Sequence, residues 1–476
     1  MRLLKSLICA KKYWMSKTQI SEQYKNVYFI GIGGIGMSAL ARYFNYHGLK
    51  VAGYDKTPSS LIENLIEEGC EVHFEDLGDE IPKAFKNKEK TLVIYTPAIP
   101  KTHKEYNYFI QNNFSVLKRA EVLGLLTRQS KGLCVAGTHG KTTTSSILAH
   151  ILNESSWKCN AFLGGIATNF NSNLVLSETS EYTVIEADEF DRSFLHLSPF
   201  ASIVTAVDPD HLDIYGNEDQ FKEGFRQYAM KTEMQGFLIQ KEGLSLNTLS
   251  KSYTYALNSP TSNYSLQNLT WNNGYLFGDV RLRNGYWPHV KFGIPGIHNA
   301  ENALACIALL NEMGMDELTI RKGIESFAGV KRRFEYCVRT EKLVYIDDYA
   351  HHPEEIKVLI DSIKMFYPNQ KIIGIFQPHL FTRTRDFADG FAKELSRLDE
   401  LVLMPIYPAR EEPIHGITSD WLLQKIKCDK KSLKSPSEVL QHFSKCKQGI
   451  VLTIGAGDID RIVQPLTEIL NSNLDD

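Results

Sequence analysis

Short apolar runs that read as strands alternate with helical stretches along most of this sequence, an order that points to α/β architecture with parallel sheets. Parallel strands need a crossover between them, and a helix lying on the sheet is the usual one. The alternation breaks into three series. The first occupies residues 26 to about 125 and opens with NVYFIGIGGIGMSALARYF. The second begins at GLCVAGTHGKTTTSSILAHIL and runs to GVKRRFE, and the third starts at KLVYIDDYAHHPEEI and ends near GAGDIDRIV. A chain of 476 residues exceeds what one core supports. The expected domains are 25–128, 129–333 and 334–476, after an N-terminal extension, 1–24. Residues 236–292 turn polar, aromatic and turn-rich, as in GYLFGDVRLRNGYW, and are expected to form a small antiparallel β insertion.

Charge narrows the partners. The net charge is −3, with both signs scattered, which gives no electrostatic case for nucleic acid or a membrane surface. No apolar run is long enough to cross a bilayer. The basic start, MRLLKSLICAKKYWMSK, has a short apolar stretch interrupted by Lys5 and no small-residue cleavage site, so it is expected to be a frayed extension rather than a signal peptide. Eight cysteines lie far apart with no CxxC pair, and this usage fits a reducing cytosol better than a disulfide framework. The sequence defines no oligomeric state.

Two glycine loops carry the chemistry. Gly31-Ile32-Gly33-Gly34-Ile35-Gly36 follows the strand-like Val27 to Ile30 and precedes a helix, with Asp55 ending the next strand, VAGYD. Glycines there permit a tight turn and close backbone approach to a phosphate at a helix N-terminus, and a side chain at Gly33 is expected to block a diphosphate sterically. Alone, the pattern suits a dinucleotide, or merely a helix packed on a strand. Gly137-Thr138-His139-Gly140-Lys141-Thr142-Thr143 follows the strand LCVA and opens another helix. Its amides and lysine suit a triphosphate and the Thr142 hydroxyl suits Mg²⁺, although Val135 stands where a full P-loop has its first glycine.

A P-loop needs an acid at a neighbouring strand end. YTVIEADE supplies Glu186, and ASIVTAVDPDHLD brings Asp208, Asp210, His211 and Asp213 to another. Mg²⁺ prefers oxygen, so from chemistry alone His211 is as readily a structural histidine as a ligand. Downstream, Gly296-Ile297-His298-Asn299 leads into a helix carrying Asn302, where capping accounts for Asn299 alone. Arg332 and Arg333 suit a transferring phosphoryl group or a solvated face. DDYAHHP (Asp347 to Pro353) and QPHLFTRTR (Gln377 to Arg385) end two further strands, and carboxyl ends of parallel strands are where α/β sites sit.

Together these motifs resemble the Mur ligase family. The resemblance runs over nearly the whole chain from about residue 25 and includes GIGGIGMSALA, GTHGKTTT, EADEFDRSFLHL, DPDHLDIYG, GIHNAENALA, GVKRRFE, DDYAHHPEEI, QPHLFTRTRDF, PIYPAREEPI and GAGDID, in the family's order. It implies a Rossmann-like N-terminal domain for a UDP-sugar, a central P-loop ATPase domain, and a Rossmann-like C-terminal domain that brings an amino acid. Within the family the motifs are similar to the branch that joins L-alanine to the lactyl carboxylate of UDP-N-acetylmuramate in cytoplasmic peptidoglycan precursor synthesis, with ATP and Mg²⁺ as cofactors. By motif position Gly137 to Thr143 would hold ATP, with His298, Asn299 and Asn302 facing the adenine nucleotide. Thr142, Glu186 and His211 would be metal ligands, and Arg333 and Asp348 would complete the ATP site. His351, Arg383 and Arg385 would line the amino-acid and reaction site. Gly31, Gly33, Gly34, Gly36 and Asp55 would bind UDP, with His73 and Arg192 beside them.

The implied chemistry follows physically. A carboxylate does not acylate an amine in water, so ATP must first convert it to an acyl phosphate, with Lys141 and an arginine offsetting phosphoryl charge. An NAD oxidoreductase would leave GTHGKTT idle, and a P-loop switch protein would leave the outer series idle.

Overall fold

The computed structural model describes residues 19–209, 212–272, 275–409 and 411–475. The chain divides into two compact units. Of the described residues, one unit contains those up to Leu269 together with Gly278–Lys291 and Glu301–Ala328; the other contains those of Thr270–Phe277, Phe292–Ala300 and from Gly329 onward.

The first sheet is all parallel. It holds β1 (Asn26–Ile30), β2 (Lys50–Tyr54), β3 (Glu71–His73), β4 (Thr91–Tyr95) and β5 (Ser115–Lys118) in the order β3-β2-β1-β4-β5. Every residue of β1 is buried, because helices or loops cover both faces. Tyr28 and Ile30 pack with Phe85 and Phe109 on one side, while Val27 and Phe29 join the larger core on the other. The order reverses between β1 and β4, so the loop after β1 opens at a topological switch point. Of the expected N-terminal extension, residues 1–18 lie outside the described part. Gln19–Gln23 is a helical turn, and Ile20 and Tyr24 are buried in the core of this first unit.

The second sheet has ten strands: β6 (Lys131–Ala136), β7 (Asn160–Ala167), β8 (Ser172–Val175), β9 (Tyr182–Glu186), β10 (Ala201–Val204), β11 (Phe237–Lys241), β12 (Lys251–Leu257), β13 (Tyr264–Asn272), β14 (Tyr275–Leu282) and β15 (Gly285–Phe292). Their order is β15-β14-β13-β12-β11-β10-β6-β9-β7-β8. The segment 236–292 is a β extension of this sheet, antiparallel only in its outer part: β13, β14 and β15 are consecutive neighbours, and the two-residue link 283–284 is too short for a parallel pair. β11 pairs in parallel with β10, β12 with β11, and β13 with β12, so the segment extends the main sheet. Burial of Phe237 to Gln240 in succession explains this, since a strand covered on both faces need not alternate.

The helix Ile35–Tyr46 joins the two sheets of this unit. It is apolar nearly all round, burying Met37, Ala39, Leu40, Ala41, Tyr43 and Phe44. Asn173 on β8 donates to Ile35 O at 2.5 Å, and the Tyr43 and Phe162 rings lie 5.3 Å apart. The glycine loop that starts this helix is thus fixed against the second sheet as well as its own.

In the other unit, β16 (Glu335–Arg339), β17 (Leu343–Asp348), β18 (Ile372–Phe376), β19 (Glu400–Leu403), β20 (Lys431–Leu433) and β21 (Gly449–Ile454) are ordered β16-β17-β21-β18-β19-β20. All pairs are parallel except β16 with β17. The described cysteines are free thiols, and among the described residues no helix is long and apolar enough to cross a membrane.

Candidate active site

β6 lies between β9 and β10, and register sets Val135 opposite Glu186. The phosphate-type loop therefore leaves the sheet with an acid strand end beside it. Gly137 adopts φ +132°, and a Cβ there would collide with Thr205 Oγ1 and the Ala206 amide, so only glycine fits. Gly140, at φ +77°, lies against the Asn302 carboxamide, which places Asn302 on the loop. The helix Lys141–Glu154 starts without a side-chain cap, leaving its first amides for an anion. Thr138 Oγ1 accepts from Asp208 N at 3.1 Å, and His139 Nε2 lies 3.3 Å from Asp208 Oδ2. Thr143 is buried in the helix.

Lys141 Nζ sits 2.7 Å from Gly137 O and within 2.9 Å of both oxygens of buried Glu189. Burial works against the ammonium, but the carboxylates of Glu189, Asp188 and Glu186 together outweigh it and hold the amine above its ordinary value. Burial lifts Glu189 in turn; contact with both carboxylate oxygens is the geometry of an ion pair. Thr142 Oγ1 donates to Glu186 Oε1 at 3.1 Å, and Gly164 N donates to Glu186 Oε2 at 3.0 Å. A hydroxyl beside a carboxylate is an all-oxygen donor set and fits Mg²⁺, which retains waters in its remaining positions. His211, expected as a further ligand, lies outside the described residues, as does Asp210.

The first glycine loop is shaped mainly by the protein. Gly31 (φ +87°) and Ile32 donate to Tyr54 O at 2.7 and 3.0 Å. Gly33 N donates to Asp55 Oδ2 at 2.7 Å, so Asp55 orders the loop directly. A Cβ at Gly33 would lie 2.6 Å from Ile62 Cδ1 and 2.9 Å from Asp55 Oδ2. A side chain at Gly33 would therefore meet Ile62 and Asp55 of the protein itself. Gly34 alone in the loop is open, with nothing nearer than 3.8 Å. His73, ending β3, has Nε2 2.8 Å from buried Glu105 and 3.2 Å from Tyr28 OH.

The first glycine loop borders a cleft of about 280 Å³, whose lining includes Gly34, Gly36, Lys118, Arg119, Glu186 and Asp188. Glu186 thus touches the Lys141 loop on one side and the cleft on the other. His73 and Arg192 are not in its lining. Arg192 has φ +55° and sets its guanidinium 5.1 Å from the Tyr215 ring.

The second unit gathers another polar group at the ends of β17 and β18. Asp348 Oδ2 accepts from Phe334 N at 2.7 Å and Oδ1 from Ala350 N at 2.8 Å. Burial pushes its carboxyl up to about 6, against the pull of Arg333. The guanidinium groups of Arg332 and Arg333 both lie over the Tyr349 ring, at 5.1 and 4.7 Å, and Arg332 in addition bonds Asp347 and Gly455 O. His351 Nδ1 lies 3.0 Å from Tyr349 O, and burial lowers this imidazole to about 4. Arg383 is buried with NH1 3.2 Å from His379 Nδ1, and the His379 and His351 rings are 6.2 Å apart. Arg385 points elsewhere, half exposed and bonded to Asp386 at 2.7 Å. In the helix Ile297–Glu312, Asn299 Nδ2 donates to Pro295 O, while His298 Nδ1 and Asn299 Oδ1 are buried with no hydrogen-bond partner among the described residues. Burial, then Arg333, brings His298 down to about 4, so it is neutral. Unsatisfied buried polar atoms of this kind fit groups that await a ligand.

Sequence reasoning missed Glu189, Lys118, Arg119, Asp188, Tyr349 and His379 as site residues. Glu189 and His379 stand inside motifs already singled out, so position was a usable signal; Lys118 and Arg119 have none.

A phosphate-binding loop on a parallel sheet, beside a strand-end acid and a second glycine loop, defines a nucleotide-dependent α/β enzyme. The chain belongs to the Mur ligase family. Family models match residues 26–131 (Mur ligase family, catalytic domain), 135–310 (Mur ligase middle domain) and 332–459 (Mur ligase, glutamate ligase domain). It is 49% identical over 452 residues to a UDP-N-acetylmuramate–L-alanine ligase of Phocaeicola vulgatus, covering 94% of this chain and 98% of that one. The figure is 51% over 441 residues for the ligase so named from Flavobacterium psychrophilum, with 93% and 97% covered. The crystal structure of a UDP-N-acetylmuramate-alanine ligase from Thermotoga maritima superposes with a TM-score of 0.81 at 27% identity, covering 94% of this chain and 99% of that one.

Proposed function

We propose that this protein joins L-alanine to the lactyl carboxylate of UDP-N-acetylmuramate through an acyl phosphate, using ATP and Mg²⁺, as a cytoplasmic step of peptidoglycan precursor synthesis. One observation carries the reading beyond the family: a single carboxylate, Glu186, faces the Lys141 loop and the cleft under the first glycine loop together. An acceptor carboxylate in that cleft meets the end of the loop where a terminal phosphate belongs.

The roles follow from the chemistry of each group. Gly137 and Gly140 let the loop backbone wrap a triphosphate, and Lys141 exchanges Glu189 for phosphate oxygens. Thr142 and Glu186 would hold Mg²⁺, which supplies Lewis-acid stabilisation of phosphoryl charge. We assign His298, Asn299 and Asn302, with Arg333 and Asp348, to the nucleotide, and Gly31 to Gly36, Asp55, His73 and Arg192 to the UDP-sugar. Arg383 offers a buried cation for the alanine carboxylate. His351, kept neutral by burial, lies beside His379 and lines the same site. Arg385, half exposed and paired with Asp386, is assigned to the same amino-acid site.

The reaction is tested with oxygen-18 in the substrate carboxylate. One labelled oxygen is expected in released phosphate; label retained wholly in the amide, or carried into AMP, refutes the acyl phosphate.

Asp348 gives a pH prediction with two opposed signs. Its folded carboxyl titrates near 6, above the ordinary 3.8. The stability it contributes is fully present below about 4 and is lost as pH rises through about 6. Activity runs the other way, because the anion opposite Arg333 exists only above that pH. The acid limb of kcat is therefore expected near pH 6, and Asp348→Asn should remove it while flattening the difference in urea stability between pH 4 and pH 7.

A further inference from the structure

The first glycine loop contains no charged side chain, yet the ligand proposed for it carries a diphosphate. Among the residues lining the cleft beside it, the cations are Lys118 and Arg119. They sit at the end of β5 and the start of the helix Arg119–Arg128, next to the switch point of the first sheet.

The two are held differently. Lys118 Nζ contacts Asp191 at 2.7 Å. Arg119 meets Asp188 through a single looser contact of 3.5 Å, between partly exposed side chains. An exposed pair of that length holds weakly and yields to a better anion. Position singles out Arg119 further. Its guanidinium lies directly against Gly36, where a Cβ would collide with NH1 and approach Cζ to 3.0 Å. The last glycine of the loop is what admits the guanidinium.

We propose that Arg119 is the diphosphate-binding residue of the nucleotide-sugar site, releasing Asp188 to take two phosphate oxygens. A planar guanidinium suits that bidentate task, and the diphosphate is the stronger competitor because it carries more charge than one carboxylate. Gly36 serves the ligand indirectly, by leaving room for Arg119. Asp188 neutralises the guanidinium until the ligand arrives. The inference rests on the reading of the first domain as a UDP-sugar site.

The test is calorimetry with UDP-N-acetylmuramate, UDP and UMP, with the Lys141 loop saturated throughout by a non-hydrolysable ATP analogue. Arg119→Met should weaken UDP-N-acetylmuramate and UDP by about tenfold to a hundredfold, the loss of a charge-assisted bidentate contact. UMP should be affected far less, and affinity for the ATP analogue should not change. Asp188→Asn should tighten UDP, since it removes the competing carboxylate. Equal losses for UDP and UMP, no loss for either, or weaker UDP binding in Asp188→Asn would each overturn the role and leave Arg119 a tie to Asp188. If circular dichroism shows Arg119→Met unfolded, Arg119→Lys carries the same test, keeping charge and stem but not the fork; a larger loss for UDP than for UMP is again required. Failure of the unaltered protein to bind UDP-N-acetylmuramate would instead refute the sugar-nucleotide reading itself, and Arg119 with it.

Discussion

Lys141→Ala is expected to lower turnover roughly a thousandfold or more, because the transferring phosphoryl group loses its fixed cation. The same substitution should also destabilise the fold, for a separate reason. Glu189 is 2% exposed and has both oxygens on the Lys141 amine. Removing the lysine strands a buried carboxylate, at a cost of about 3–5 kcal/mol. The two effects separate in Lys141→Ala/Glu189→Gln. A neutral amide needs no counter-ion, so the double variant should recover most of the lost stability in urea titrations while releasing no ADP above background. Binding of UDP-N-acetylmuramate should persist in it, since the first glycine loop is untouched. Turnover by the double variant would remove Lys141 from the phosphoryl-transfer site; a single variant as stable as the unaltered protein would mean that Glu189 does not depend on Lys141.

Much of this arrangement was legible in the sequence because its signals are local. Both glycine loops combine a buried strand, a positive-φ glycine and a helix start within one short segment, and Lys141 and Thr142 follow from spacing alone. The partners of those loops are not local. Gly36 and Arg119 meet only because β5 returns beside β4, and Lys141 and Glu189 meet only because β9 lies against β6. No spacing rule reports either encounter. Adjacent residues of one type posed a different problem. Arg332 and Arg333 look alike in sequence and both lie over the Tyr349 ring, but Arg332, with its backbone at φ +62°, is also tied to Asp347. Arg383 and Arg385 diverge in the same way, since neighbours two apart on a helix do not share a face. The parallel pairing of the inner strands of 236–292 was not legible, because polar, turn-rich composition describes a partly exposed strand whatever the direction of its pairing.

Glu186→Gln should change the metal requirement more than any other property. The carboxylate takes the Thr142 hydroxyl on one oxygen and the Gly164 amide on the other, and a Cβ at Gly164 would strike it, so the space allows no larger group. Glutamine keeps the volume and one acceptor oxygen, which limits the loss of stability to about 1–2 kcal/mol. What it removes is the negative charge. Groups that only support a metal ligand are worth about tenfold to a hundredfold in metal affinity, so loss of an anionic ligand should raise the Mg²⁺ needed for half-maximal activity by about a hundredfold. At saturating Mg²⁺ kcat should still fall by about 10²–10³, because the metal is no longer fixed against the Thr142 loop. The charge argument also predicts a gain: without metal, the ATP analogue should bind Glu186→Gln at least as tightly as the unaltered protein, since a carboxylate repelling the phosphates has gone. Lys141→Ala should weaken metal-free binding instead. Paramagnetic resonance of Mn²⁺ with the nucleotide reads the metal site without turnover. An unchanged Mn²⁺ affinity in Glu186→Gln would take Glu186 out of the metal site and leave it a structural acceptor for Thr142 and Gly164.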